Sequence, residues 1–100
     1  MTPELVAKVY LYPTDRGGKK LAIGDCYRCP CFASQDTNSG GWDCMIVEGA
    51  PLAPGERGQL GFAFLSGDRA VQAFTEAGRF YLWEGRFVGE ATVVAYGGKS

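Results

Sequence analysis

The four cysteines are the residues of this 100-residue chain whose type and spacing are best suited to chemistry. Cys26, Cys29 and Cys31 lie within the segment GDCYRCPCFA, and Cys44 follows after the loop at 34–41. Thiolates at such spacing can hold a zinc ion, form a redox-active pair or form a disulfide. Unreactive cysteines also serve as small apolar residues in protein cores. The same residues therefore allow several different functions.

The spacing argues against a four-thiolate zinc site. Such sites normally use two Cys-x-x-Cys knuckles, and the second knuckle is absent here. Cys31 and Cys44 would approach each other if their strands pair through the loop at 34–41, so a disulfide is geometrically open. In a cytosolic protein it would stay reduced. We predict structural thiols and no bound metal, and keep as the alternative a metal- or redox-responsive role for Cys26, Cys29, Cys31 and Cys44.

The composition excludes several classes of function. The chain has no histidine, so Ser-His and Cys-His nucleophilic pairs and mixed Cys/His zinc sites cannot be built. The carboxylates are scattered, and neither a P-loop nor a GxGxxG motif is present. A net charge of −1 gives no global attraction to nucleic acid, and no apolar run is long enough to span a bilayer. Because signal-peptide features are also absent, we predict a non-enzymatic cytoplasmic protein with no cofactor, nucleotide or membrane contact.

Glycines and prolines divide the chain into short apolar segments, a pattern typical of an all-β protein. In the first segment, Leu5, Ala7, Val9 and Leu11 alternate with more polar residues and predict a strand with one core-facing side. The predicted strands lie at 5–12, 26–33, 42–48 and 59–65 and in a closing hairpin within 78–98 that turns at Glu84-Gly85.

One segment has helical spacing instead. Apolar residues recur at the helical period over 68–77, with Ser66 or Asp68 as a candidate N-cap and Gly78 as the stop signal. Six strands and one short inserted helix predict a single domain, 1–100, that forms a small closed six-stranded antiparallel barrel. Closure would remove unpaired strand edges.

Three segments carry a resemblance to a known family. They are RGGKKLAIGDCYRCPCF at 16–32, APGE at 53–56 and GRFYLWEGRFVGEATVV at 78–94. In the same order they resemble the second-strand region, the Pro-Gly-Asp turn and the closing hairpin of the C-terminal (third) β-barrel domain of translation elongation factor Tu. The resemblance spans Val6 to Val94 and implies that barrel as a stand-alone chain, without the GTPase domain.

The resemblance also suggests contact residues. In the family, the Gly-Gly-Arg loop and the Glu-Gly turn lie near the T-stem of bound aminoacyl-tRNA, and the barrel meets the exchange factor and the GTPase domain. Carried over by position, this implies Lys19, Lys20, Glu84 and Gly85 as partner- or RNA-contacting residues, with Arg28 as a further candidate. The alternative interpretation is that Lys19 and Lys20 lie in a solvated hairpin turn without a binding role.

Two departures from the family pattern bear on function. The family's Gly-Tyr-Arg-Pro-Gln-Phe is Cys26-Tyr27-Arg28-Cys29-Pro30-Cys31 here, and its Arg-Thr-Thr-Asp segment is replaced at 34–37. The second change weakens the RNA interpretation. In the family's register the strand face that holds Cys29 and Cys31 points inward, so the resemblance implies core thiols there, with Cys26 at a glycine position.

The aromatic residues of the closing hairpin suggest a surface. Tyr81 and Trp83 alternate with Phe80 and Leu82, and if they face outward they form an apolar patch suited to a partner. We therefore predict a translation-related, non-catalytic binding module that contacts a protein or a structured RNA such as tRNA.

Overall fold

The computed structural model describes residues 3–16, 18–65 and 67–96. Its strands are β1 (Leu5–Leu11), β2 (Arg28–Phe32), β3 (Gly41–Glu48), β4 (Arg57–Phe64), β5 (Arg79–Trp83) and β6 (Phe87–Tyr96), with one helix, α1 (Asp68–Ala77). The strands pair antiparallel and close in the order β1-β4-β3-β2-β5-β6. The predicted all-β closed barrel with one short helix is confirmed.

Strand alternation fills the barrel with apolar side chains. Leu5, Ala7, Val9 and Leu11 of β1 are all at most 1% exposed, as the period-two pattern predicts. The other strands contribute Cys29, Cys31, Cys44, Ile46, Leu60, Phe62, Phe64, Phe80, Leu82, Val88 and Ala91 to the same core. The interior is therefore a packed core, as expected for a barrel of this size.

The helix covers one end of this core. Ala70 and Phe74 are its buried residues, and the ring of Phe74 stacks on Phe80 with centroids 4.6 Å apart. Burial of an aromatic ring against another accounts for the docking of a helix this short.

The C-terminal end of α1 agrees with the sequence prediction, whereas the N-terminal cap does not. Gly78 ends the helix in a left-handed conformation, and its N–H donates to the carbonyl of Phe74. At the start, Gly67 is the N-cap residue and no side chain caps the helix, so the expectation of Asp68 as the cap is wrong. The other candidate, Ser66, lies outside the described residues.

The second strand is shorter than predicted, because its approach is a turn. Cys26 has a φ of 66°, and its N–H donates to the carbonyl of Ile46 at 2.9 Å. Pro30 lies within β2, but the β2–β5 pairing includes only Cys31 and Phe32. The missing N–H of Pro30 therefore falls beyond the end of that ladder, where proline is tolerated.

Candidate functional sites: a buried thiol cluster and an outer aromatic patch

Pairing of β2 with β3 gathers three of the four cysteines. Cys29 lies opposite Cys44, and their Sγ atoms are 4.0 Å apart. Cys31 follows two residues later on the same face, and the three Sγ atoms all lie within 4.8 Å of one another. We call Cys29, Cys31 and Cys44 the thiol cluster.

The register defines how these residues face one another. Cys31 lies opposite Trp42, so the cross-strand partner of Cys44 is Cys29 rather than Cys31. The approach of Cys31 to Cys44 that the sequence allowed is present, since their Sγ atoms lie within 4.8 Å of each other. All four cysteines are free thiols.

The thiol cluster is enclosed by the core. Cys29, Cys31 and Cys44 are 6%, 0% and 3% exposed, as the inward-facing register implies for the first two. Hydrogen bonds from the other two thiols hold the pKa of Cys29 well below its ordinary value, with a smaller contribution from the backbone amide of Trp83. Burial raises the pKa of Cys31, and the hydrogen bond with Cys29 raises the pKa of Cys44. The thiols of Cys31 and Cys44 both donate to the backbone carbonyl of Cys29, at 4.0 and 3.2 Å, so hydrogen bonds link all three residues of the cluster.

Cys26 is separate from this group. It is exposed on the turn before β2, in the backbone conformation that favours glycine. A site that uses all four cysteines together is not formed by this arrangement.

Lys19 lies in an unexpected place. It is only 9% exposed, its Nζ donates to the carbonyl of Leu21 at 3.0 Å, and it lies 3.7 Å from the Glu84 carboxylate. The same ammonium sits 5.3 Å from the ring centre of Tyr27, whose hydroxyl donates to Glu84. Burial, followed by the hydrogen bond to Glu84, raises the pKa of Tyr27 above its ordinary value. Lys19, Tyr27 and Glu84 thus form a polar cluster at the barrel surface in which Lys19 is buried and Glu84 is exposed, so Lys19 does not lie in a solvated turn.

The glycine before Lys19 explains how the loop reaches this position. A Cβ atom at Gly18 would lie 1.9 Å from the carbonyl oxygen of Tyr12. The guanidinium of Arg86 donates to the Gly18 carbonyl at 2.9 Å. The loop before β2 is therefore packed against both β1 and the turn between β5 and β6.

The remaining residues from the family motifs lie on the surface. Lys20, Arg28, Glu84 and Gly85 are exposed, and Gly85 has a φ of 74° at the hairpin turn. The structure brings Lys19 together with Glu84, but it gives neither Lys20 nor Arg28 a place in the same polar cluster.

Four aromatic rings meet on the outer side of the barrel. Phe32 of β2 pairs with Tyr81 of β5, and Trp83 and Phe87 complete the group, which we call the outer aromatic patch. Centroid distances are 5.0 Å for Trp83–Phe87, 5.9 Å for Phe32–Phe87 and 6.1 Å for Tyr81–Phe87, all with edge-to-face geometry.

The sequence predicted an apolar patch on condition that Tyr81 and Trp83 face outward, and the structure meets this condition. Both are half-buried on the outside of the barrel, while Phe80 and Leu82, which alternate with them along β5, are fully buried. Sequence reasoning did not include Phe32, although its alternation with Cys31 is the signal that would have found it. Phe32 fits there because Gly41 leaves room for its ring, which a Cβ would approach to 2.8 Å.

Charges of both signs border the outer aromatic patch. A hydrogen bond with Tyr81 raises the pKa of Arg79, which is fully exposed. Glu90 lies opposite Tyr81 in the β5–β6 register and accepts a hydrogen bond from the Tyr12 hydroxyl at 3.1 Å. Burial, and then the bond to Glu90, raises the pKa of Tyr12 to about 12. The border is therefore not a purely cationic surface.

No helix within the described ranges is long and apolar enough to cross a membrane. Comparison with protein-family models and with curated proteins gave no match to this chain.

Proposed function

We propose that this chain is a non-catalytic protein-binding module and that the outer aromatic patch is its contact surface. The observation that carries the proposal is the grouping of Phe32, Tyr81, Trp83 and Phe87 on the outside of the barrel. Tyrosine and tryptophan dominate the binding energy of protein interfaces, because each buries a large rigid surface at low entropic cost.

The rigidity of the patch favours this role. Phe32 is 7% exposed and supports the half-buried rings of Trp83 and Phe87 from below. Since the rings are already held against one another, a partner would order few additional side chains on binding.

The surroundings of the patch favour a protein over an RNA partner. The Lys19 ammonium is used inside the molecule, and the carboxylates of Glu84 and Glu90 would repel phosphates. Single-stranded RNA binds by stacking its bases on open ring faces, whereas these rings cover one another edge to face. The net charge of −1 adds no compensating attraction.

The resemblance to the elongation factor Tu barrel supports a translation-related partner. That barrel binds other proteins, and this chain also forms a barrel of six strands, in which Lys19 of the loop before β2 contacts Glu84 of the closing hairpin. A partner from the translation machinery would place the chain in the cytoplasm, as the sequence predicts.

Site-specific photo-crosslinking in the native cell tests the proposal. Tyr81 is replaced by a photoreactive phenylalanine, which keeps a ring in the patch, and the same probe at Gln72 on the exposed side of α1 is the matched control. We expect position 81 to cross-link a protein that position 72 does not. Cross-linked RNA at position 81, or identical products from both probes, would overturn the proposal.

A further inference from the structure

We propose that Cys29, Cys31 and Cys44 form a three-thiolate site for one copper(I) ion. The site goes beyond the proposed binding function, because it lies inside the barrel while the outer aromatic patch lies outside. Three converging thiols are also more than packing needs, since three aliphatic side chains would fill the same core positions.

The sulfur geometry is close to that of a three-coordinate ion. Three sulfurs in a plane around a metal at about 2.3 Å lie about 4.0 Å apart, against about 3.8 Å in a tetrahedron. Cys29 and Cys44 already have this separation, at 4.0 Å, and no pair in the cluster exceeds 4.8 Å. Small side-chain rotations would complete the site.

The number and type of donors favour copper(I). Soft thiolates select copper(I), zinc and iron–sulfur clusters, and zinc in a structural site takes four protein ligands. The fourth cysteine, Cys26, does not contribute a sulfur to the cluster, because it lies on the exposed turn before β2. The chain has no histidine to replace it. A three-coordinate thiophilic ion needs no fourth donor.

The binding step needs no oxidant or reductant. The ion arrives as copper(I) and stays in that state, each new copper–sulfur bond replaces an S–H bond, and the released protons go to solvent.

A surface depression borders the strand segment that contains Cys44. The depression, of about 170 Å³ between β2, β3 and β4, is lined by Arg28, Asp43, Met45 and Phe64 and includes Cys44. The Cys44 side chain faces the core and is 3% exposed, and Cys31 is fully buried, so an ion must pass between packed side chains to reach the three sulfurs.

Anaerobic titration of the full chain with copper(I), against a chromophoric copper(I) chelator, tests the site. We expect one copper(I) per chain, and X-ray absorption that shows three sulfur neighbours. Cys29→Ser and Cys44→Ser should weaken the affinity by at least about 10-fold. Cys26→Ser, the matched control outside the cluster, should leave the affinity unchanged. Far-UV circular dichroism checks the fold of each variant, and Cys→Ala replaces any serine variant that does not fold.

Several results would overturn the copper(I) site. Wild-type protein that binds no copper(I) would do so whatever the variants show. The same holds if Cys26→Ser removes binding, or if zinc binds more tightly than copper(I) with a fourth ligand. Each of these results leaves the cross-linking test of the outer aromatic patch unaffected.

Discussion

The ammonium of Lys19 lies 3.7 Å from the carboxylate of Glu84 and joins the loop before β2 to the turn between β5 and β6. These are the two segments that the resemblance marks as RNA contacts. Here their opposite charges meet each other, beside the ring of Tyr27. The pair thus has a structural role in this chain.

Replacing Lys19 tests that role. We expect Lys19→Met to lower the free energy of unfolding by about 1–3 kcal/mol, because Glu84 and the Leu21 carbonyl lose a buried donor. Urea denaturation measures the change. Lys20→Met, an exposed neighbour, should change it by less than about 0.5 kcal/mol, and equal effects of the two substitutions would contradict the structural role.

The partly buried phenols of Tyr12 and Tyr27 make stability fall at high pH. The pKa of Tyr12 is raised from 10.0 to about 12, and that of Tyr27 is raised as well. Because the unfolded chain loses these protons first, their contribution is complete below pH 10 and is lost as the pH rises through the folded values. Urea unfolding from pH 8 to about 12 should show this decline, and Tyr12→Phe should reduce its slope. A slope unchanged by Tyr12→Phe would count against the assignment.

The turn at Cys26 offers a stabilising substitution. A non-glycine residue at a φ of 66° destabilises the folded state by about 1–2 kcal/mol. Glycine removes this strain, but it lowers stability by about 0.5–1 kcal/mol because it increases the entropy of the unfolded chain. We therefore expect Cys26→Gly to raise the melting temperature and the free energy of unfolding by up to about 1 kcal/mol. Cys26→Ser keeps the Cβ atom and should change neither; a gain of the same size in both variants would point to the thiol instead.

Gly18 is required by the loop packing. An added Cβ would lie 1.9 Å from the Tyr12 carbonyl oxygen, whereas at Gly24 it would meet no atom within 4 Å. Gly18→Ala should therefore cost more than about 3 kcal/mol of unfolding free energy, and Gly24→Ala less than about 0.5 kcal/mol. Thermal and urea unfolding compare the two variants, and similar stabilities would mean that the loop packs differently.

Secondary structure was predictable from the sequence in segments where apolar residues recur with one clear period. The alternation at Leu5, Ala7, Val9 and Leu11 predicted the buried face of β1, and the apolar spacing predicted α1 with its actual bounds, 68–77. Both patterns lie within a single short segment, so they can be recognised without knowing which other elements pack against that segment.

The composition of the candidate sites depends on contacts between residues that are far apart in the sequence, and local sequence patterns do not predict these contacts. Which cysteine faces Cys44 is set by the β2–β3 register, and this depends on the conformation of the loop between the strands. Lys19 is buried where its loop contacts Glu84 in the turn between β5 and β6, far away in the sequence. In both cases the chemistry of the side chain was evident, but its surroundings were not.

The affinity of the partner for the Trp83→Ala variant tests the binding function most directly. With the cross-linked partner purified, calorimetry compares the wild-type chain, Trp83→Ala and Leu65→Ala, a matched control in which the apolar side chain is 76% exposed beyond the end of β4. We expect Trp83→Ala to weaken binding by about 10-fold or more and Leu65→Ala by less than about 2-fold. Equal affinities of wild-type and Trp83→Ala chains for the partner would contradict the outer aromatic patch as the contact surface.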